Sequence, residues 1–285
     1  MIVYFNGDFI PKEEVRISPD DRGFLFADGA YEVIRVYNGV LFLAENHFKR
    51  LTRSLQELRL TAYRHDILLK VADRLIRDNN LERHDAAVYI QVTRGSAARQ
   101  HAFPEKETTQ TVYITVYPID PPCRKWEEGV KAILLPDLRW ARCDIKSLAL
   151  LPNVLASQEA RENGAEEALL VRNGVITEGA RTGFCAVFEN ELVTHPAEND
   201  ILGSITREIV LDMCEELRIP VKERAVRESE IYDASELMIL GTTLEIMPVV
   251  QVGERKVGNG TPGSVTRTLQ KAYKERVAQA LEHMA

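Results

Sequence analysis

Tyr31-Glu32-Val33-Ile34-Arg35-Val36-Tyr37, then Asn38-Gly39, then Val40-Leu41-Phe42-Leu43 is the stretch on which the fold turns. β-Branched and aromatic residues on both sides of an Asn-Gly pair predict two antiparallel strands, because a two-residue hairpin turn needs positive φ at both central positions. The device recurs twice. Val3 to Phe5, Asn6-Gly7 and Phe9-Ile10 form one further hairpin; Glu167 to Val171, Asn173-Gly174 and Val175-Ile176 form the other.

Outward from residues 31–43, the period changes. Phe48, Leu51, Leu55 and Leu58 recur at three- and four-residue steps and predict a helix over 45–58. A second helix runs from Asp66, read as its N-cap, to Asp78, with Leu68, Val71, Ala72 and Leu75 inward. Residues 87–93 and 111–117 are β-rich, and the polar loop between them, Arg94 to Thr109, has the length of a functional loop. Further strands are predicted at Val130 to Leu135, within Ala186 to Val193 and at Leu237 to Gly241. Helices are predicted from Asn153 to Glu162 (closed by Gly164), from Ile205 to Leu217 with Ile209, Val210, Met213 and Leu217 inward, and from Val265 to Leu281. Three prolines in Pro118-Ile119-Asp120-Pro121-Pro122 make a stiff connector. The expected architecture is therefore an α+β or α/β two-domain chain: residues 1–117, a linker at 118–122, and residues 123–285.

Composition narrows the function. The 285 residues are 28% charged and 45% hydrophobic, which excludes wholesale disorder. A net charge of −7 argues against a nucleic-acid partner, since phosphate contacts demand excess Lys and Arg. No apolar run approaches the roughly 20 residues of a membrane span, and the N-terminus lacks a signal-peptide pattern. Cys123, Cys143, Cys185 and Cys214 are scattered without a CxxC pair, so neither a metal site nor a disulfide framework is expected. Together these point to a cytoplasmic protein.

Several residues do not read as core. Lys146 interrupts the apolar run Ile145 to Leu151, where desolvation favours a neutral, nucleophilic amine suited to a Schiff base; taken alone, a snorkelling lysine is the better explanation. Glu178, just after a hairpin, is placed to face a cationic ring nitrogen or simply solvent. Gly203-Ser204-Ile205-Thr206-Arg207 opens a helix whose unpaired N–H groups suit an anion, or an ordinary N-cap. Gly241-Thr242-Thr243 adds hydroxyls at a strand end, and Arg94, Arg99 and His101 put cations in the long loop.

Taken in order, these blocks resemble the fold type IV pyridoxal-5′-phosphate aminotransferases, and among them the D-amino acid aminotransferases. The resemblance covers essentially the whole chain. It is most specific at residues 31–39, at Val92-Thr93-Arg94-Gly95 with Arg99-Gln100-His101-Ala102-Phe103-Pro104, and at Asp144-Ile145-Lys146-Ser147-Leu148. It implies a smaller N-terminal α/β domain and a larger, barrel-like C-terminal α/β domain in a homodimer. The implied reaction is transamination between a D-amino acid and an α-keto acid, pyruvate or 2-oxoglutarate. By the same resemblance, Lys146 holds the cofactor as an internal aldimine and shuttles the proton, while Glu178 faces the pyridine nitrogen. Arg50, Ile205, Thr206 and Thr242 hold the phosphate, and Leu202 packs on the ring. Tyr31, with Arg99 and His101 from the partner subunit, traps the substrate α-carboxylate.

The sequence also departs from the family. Relatives carry a Ser-rich stretch ending in Ser-Asn after the glutamate; here Ala180-Arg181-Thr182-Gly183 follows Gly179. Arg181 is thus either a second carboxylate contact or a salt-bridged bystander. Three other activities compete: branched-chain L-amino acid aminotransferase, (R)-amine transaminase and aminodeoxychorismate lyase. Leu151, where branched-chain enzymes place a tyrosine, and the pair Arg99 and His101 favour the D-amino acid reading.

Overall fold

The computed structural model describes residues 1–105 and 108–282. The chain forms two units. Of the described residues, the first holds those within 1–120, Ile145–Ala149 and 280–282; the second holds Pro121–Asp144 and Leu150–Gln279. Ile145–Ala149, which lies far along the linear order, thus belongs with the N-terminal half.

The first unit contains β1 (Ile2–Phe5), β2 (Asp8–Pro11), α1 (Arg22–Phe26), β3 (Gly29–Tyr37), β4 (Val40–Leu41), α2 (Ala44–Glu57), α3 (His65–Asp78), β5 (Ala86–Thr93) and β6 (Thr111–Pro118). Its sheet has the order β2-β1-β6-β5-β3-β4, with every pairing antiparallel. Alternation along the strands sends Ile34, Val36, Val88, Ile90 and Ile114 to one buried face, where Phe48, Leu51 and Leu55 of α2 and Leu68 and Leu75 of α3 meet them. Asn38 and Gly39 have φ of 47° and 84°, as the turn requires. Gly39 is doubly constrained, because a Cβ there would lie 2.3 Å from the Glu82 carbonyl oxygen.

The second unit contains α4 (Cys123–Glu128), β7 (Val130–Pro136), α5 (Leu151–Glu162), β8 (Glu167–Arg172), β9 (Val175–Gly179), β10 (Gly183–Phe188), β11 (Glu191–Thr194), α6 (Ile205–Glu216), β12 (Val221–Glu223), β13 (Val226–Arg227), β14 (Glu236–Gly241), β15 (Glu245–Val252), β16 (Arg255–Lys256) and most of α7 (Ser264–Glu282). Ten strands form a mixed sheet in the order β12-β11-β10-β14-β15-β7-β8-β9-β13, with β16 beside β15. β7 is parallel to β8, so a crossover must join them. That crossover carries both Ile145–Ala149 and α5.

Three local expectations need correction. Asp66 is not the N-cap of α3: Arg64 takes that position, and Asp66 in the first turn accepts from the Arg64 guanidinium at 2.8 and 3.0 Å. Leu217 is not inward; α6 ends at Glu216, and Leu217 turns out of the buried stripe as its C-cap, 42% exposed. The strand expected to reach Leu43 stops at Leu41, because Leu43 adopts φ 55° to enter α2. The short α1 escapes a reading by periodicity, since five residues are too few to show one.

Leu55 is fully buried between α2 and the sheet. Leu55→Ala should cost about 2–5 kcal/mol through lost burial and the cavity left behind. Urea titration of the transition that reports the first unit would show it as a lower midpoint at unchanged slope.

Candidate active site

In the first unit the site is built on β3 and α2. The Tyr31 N–H donates to the Lys146 carbonyl at 3.1 Å, and the Leu148 N–H donates to the Gly29 carbonyl at 3.0 Å. Ile145–Ala149 is thereby stitched alongside β3, with Ala30 opposite Ser147. The Lys146 N–H donates to Ser54 Oγ at 3.2 Å, so the main chain at the lysine is held from two elements. Lys146 is half-buried, with Nζ 4.2 Å from the centre of the Tyr31 ring. An aromatic face attracts an ammonium without neutralising it.

Arg50 lies one turn before Ser54 on α2. Its Nε and Nη2 donate to the two oxygens of Glu32 at 2.9 and 2.7 Å, and His47 Nδ1 lies 3.0 Å from the same carboxylate. Burial pushes the Glu32 carboxyl up, but Arg50 and His47 more than offset it and hold it well below the usual range. Burial pushes His47 down against the pull of Glu32. Sequence reasoning missed Glu32 and His47; a carboxylate on the inward face of an apolar strand is the signal that was there to find.

Arg99 and His101 are both exposed on the long loop. The ring of Phe26, the last residue of α1, backs them both: the Arg99 guanidinium is 5.3 Å and the His101 ring 5.4 Å from its centre.

In the second unit, Glu178 is the penultimate residue of β9 and almost fully buried. The Leu202 N–H donates to its two oxygens at 3.1 and 3.2 Å, and Arg139 Nη1 pairs with Oε1. Arg139 also donates Nε and Nη2 to Asp137 at 2.9 and 2.8 Å, and Thr177 Oγ1 donates to Asp137 at 2.9 Å. Burial pushes the Glu178 carboxyl up to about 7, although Arg139 and the Leu202 N–H draw it back. Asp137, which shares Arg139, ends below its ordinary range, because the guanidinium overcomes its burial. Arg139 is thus a third residue that sequence reasoning missed, hidden in a polar stretch whose importance shows only through Glu178.

Leu202 leads into Ser204, whose hydroxyl caps α6 by accepting from the Arg207 N–H at 3.2 Å. The first N–H groups of α6, at Ile205 and Thr206, have no carbonyl of their own helix to meet. Gly183 pairs with Leu240, and a Cβ on Gly183 would lie 3.6 Å from Ser204. The α6 N-terminus therefore converges with the end of β14, where Thr242 follows Gly241 in the turn. A Cβ on Gly203 would meet nothing within 4 Å, so the main chain here is open on one side. Arg181 is half-exposed and donates to Glu166 at 2.8 Å, which is the salt-bridged arrangement. Among the described residues no group of three or more His, Cys, Asp or Glu is placed to hold a metal ion.

The first unit thus offers a half-buried lysine fixed by its main chain, and the second a buried carboxylate and a helix N-terminus with unmet N–H groups. Residues 29–252 match the family described as amino-transferase class IV, and the chain belongs to that family. It is 40% identical to a D-alanine aminotransferase of Bacillus licheniformis over 277 residues, 97% of each chain. It is 39% identical to a D-alanine aminotransferase of Staphylococcus haemolyticus over 276 residues, 96% of this chain and 97% of that one. Among solved structures it resembles the branched-chain amino acid aminotransferase of Escherichia coli with a TM-score of 0.89 at 27% identity, covering 96% of this chain and 93% of that one. The protein is an aminotransferase that works with pyridoxal 5′-phosphate, and its two-unit α+β architecture is that of its family. The groups present fit that cofactor: an amine for its aldehyde, a carboxylate for its ring nitrogen, and N–H and hydroxyl donors for its phosphate.

Arg139→Met leaves Glu178 buried without its cation, while Arg172 still reaches Asp137 at 3.1 Å. Removing one partner of a buried pair costs roughly 3–5 kcal/mol when the survivor stays charged. An acid whose folded pKa is raised loses stability as pH rises, because the folded state must ionise a group it prefers neutral. Relative to wild type, the cofactor-free variant should lose little near pH ~5, below the Glu178 value of about 7, and the loss should grow through and above it. Urea unfolding at several pH values measures the gap.

Proposed function

We propose that this class IV aminotransferase moves the amino group of a D-amino acid, such as D-alanine or D-glutamate, to an α-keto acid such as pyruvate or 2-oxoglutarate. One observation carries the reading: an arginine and a histidine two residues apart, Arg99 and His101, are presented side by side against Phe26, as a carboxylate grip requires. The full-length likeness to D-alanine aminotransferases supports it. Pyridoxal 5′-phosphate supplies the aldehyde that accepts the amino group and the ring that draws electrons from Cα.

The chain's own residues do the rest. Lys146 would be the covalent anchor for the aldehyde, and its freed amine would move the proton at Cα. Its main-chain bonds to Tyr31 and Ser54 fix where that amine starts from. Glu178 would hold the ring nitrogen and keep it protonated. Leu202, tied to Glu178 through its N–H, would pack on the ring. The N–H groups of Ile205 and Thr206 and the Thr242 hydroxyl hold the phosphate. Arg50 adds its charge there, oriented by its two bonds to Glu32. Tyr31, together with Arg99 and His101 of a second copy, holds the substrate carboxylate, so that only one enantiomer turns its Cα–H toward Lys146.

A full-spectrum absorbance measurement tests both anchor and hand. The purified enzyme should show a visible band that bleaches with D-alanine and not with L-alanine. Lys146→Ala should lack the band of the lysine-bound cofactor and lose at least roughly 10²–10⁴-fold in turnover, the share due to proton transfer alone. Faster reaction with L-leucine or L-valine would overturn the D-specific reading in favour of a branched-chain enzyme.

The working unit is a homodimer in the cytoplasm. Leu151, Val154 and Leu155 lie on one exposed side of α5, and Leu138 and Trp140 are exposed nearby in sequence, an apolar surface suited to a second copy. The four cysteines stand as free thiols, which supports a reducing compartment. Analytical ultracentrifugation should find a dimer at assay concentration, and a fully active monomer would refute the shared carboxylate grip.

A further inference from the structure

Arg22 is 3% exposed, yet nothing in the reading above uses it. Its guanidinium makes three directed contacts. Nε pairs with Asp28 Oδ2 at 2.8 Å, Nη1 donates to the Gln100 carbonyl at 2.6 Å, and Nη2 donates to the His101 carbonyl at 3.3 Å. A planar fork that spends its donors on two successive carbonyls fixes both the position and the direction of that main chain. Asp28 is itself held by Arg94 Nε and Nη2 at 2.8 and 3.0 Å, and its carboxyl lies below the ordinary range because the two guanidinium groups overcome its burial.

The element that carries Arg22 is equally fixed. Asp21 caps α1 by accepting from the Gly23 N–H at 2.8 Å, and its other oxygen accepts from Thr93 Oγ1 at 3.0 Å and Thr111 Oγ1 at 2.6 Å. Those threonines end β5 and begin β6. A Cβ on Gly23 would lie 2.2 Å from Thr93 Cγ2, so α1 sits against the strand end with no room for a side chain. Phe26 closes α1 and backs Arg99 and His101. Rigidity thus passes from the sheet through Asp21 to α1, and from α1 through Arg22 and Phe26 to residues 99–101.

We propose that Arg22 is a positioning residue for substrate recognition: by clamping the Gln100 and His101 carbonyls to α1, it sets the angle at which Arg99 and His101 meet the α-carboxylate. The clamp rests on the carboxylate role proposed for Arg99 and His101. It makes no contact with substrate, so its effect falls on KM for carboxylate-bearing substrates and not on the amine chemistry at Lys146. A grip displaced by an ångström can cost on the order of 10²-fold.

The holoenzyme tests it with D-alanine and 2-oxoglutarate. Arg22→Met should raise both KM values about 10- to 100-fold with a much smaller fall in kcat. Cofactor affinity, measured by equilibrium dialysis, and the sedimentation coefficient should stay at wild-type values. Phe26→Leu removes the aromatic face that backs Arg99 and His101 and that also lies 4.9 Å beneath the Arg22 guanidinium, leaves the hydrogen bonds of Arg22 in place, and should raise the same KM values several-fold. Because Arg22 acts through the grip, adding Arg22→Met to Arg99→Ala should change KM little beyond Arg99→Ala alone. Unchanged KM in a folded Arg22→Met, or fully multiplying effects in the double variant, overturns the proposal. If Arg22→Met does not fold, Phe26→Leu decides: a raised KM at retained cofactor affinity supports α1 as the positioning element, and an unchanged KM overturns it. Arg99→Ala separates the two layers. If it leaves KM unaltered, the carboxylate grip itself is wrong; if it raises KM while Arg22→Met does not, only the clamp is.

Discussion

The bond from the Tyr31 N–H to the Lys146 carbonyl, with its companion from the Leu148 N–H to the Gly29 carbonyl, fixes the main chain of the lysine on which the proposed chemistry depends. These bonds make residues 145–149 a short extra strand beside β3. They also explain why a segment inside the β7-to-β8 crossover belongs with the N-terminal unit. The approach is close enough to demand glycine: a Cβ on Gly29 would lie 2.4 Å from the Val92 carbonyl oxygen and 2.9 Å from Leu148 Cδ1. Since β3 is paired along its length with β5, the lysine main chain inherits the rigidity of the sheet. Only the side chain is left without such main-chain ties, and the role proposed for Lys146, anchor first and proton carrier second, asks for that freedom and little more.

Much of this was legible in the sequence, because much of it is local. Asn-Gly pairs at 6–7, 38–39 and 173–174 specify hairpins through the backbone conformations those two residues tolerate, and no tertiary contact is needed to read them. The helices with several buried leucines were readable for the same reason, their period being a property of the segment itself. What escaped depends on partners far away. Helix α1 exists because Asp21 finds Thr93 and Thr111, 72 and 90 residues on, not because five residues favour a helix. Arg139 looks like any surface arginine until Glu178, 39 residues later, folds against it. Glu32 sat in a strand expected to be apolar, and its meaning lies in Arg50 and His47 on α2. Lys146 was conspicuous in its apolar run, but the pairing with β3 that fixes it left no local trace.

Glu32 and Glu178 show how one residue type can be given two electrostatic characters. Both are buried, and burial alone would push both carboxyls up. Glu32 receives both guanidinium nitrogens of Arg50 that it can bind bidentately, with His47 beside them, and it falls well below the usual range. Glu178 receives one nitrogen of Arg139, a guanidinium that spends two others on Asp137, and the nearby Asp137 charge opposes its ionisation. Its carboxyl therefore stays near 7, poised between charged and neutral. A carboxylate already satisfied, like Glu32, gains little from another cation and serves best to orient Arg50. A carboxylate left short of positive charge gains most from one, and its own ionisation becomes linked to whatever brings that charge. In the role proposed for it, Glu178 would meet the missing cation in a protonated ring nitrogen, and the sharing of Arg139 with Asp137 is what keeps that demand open.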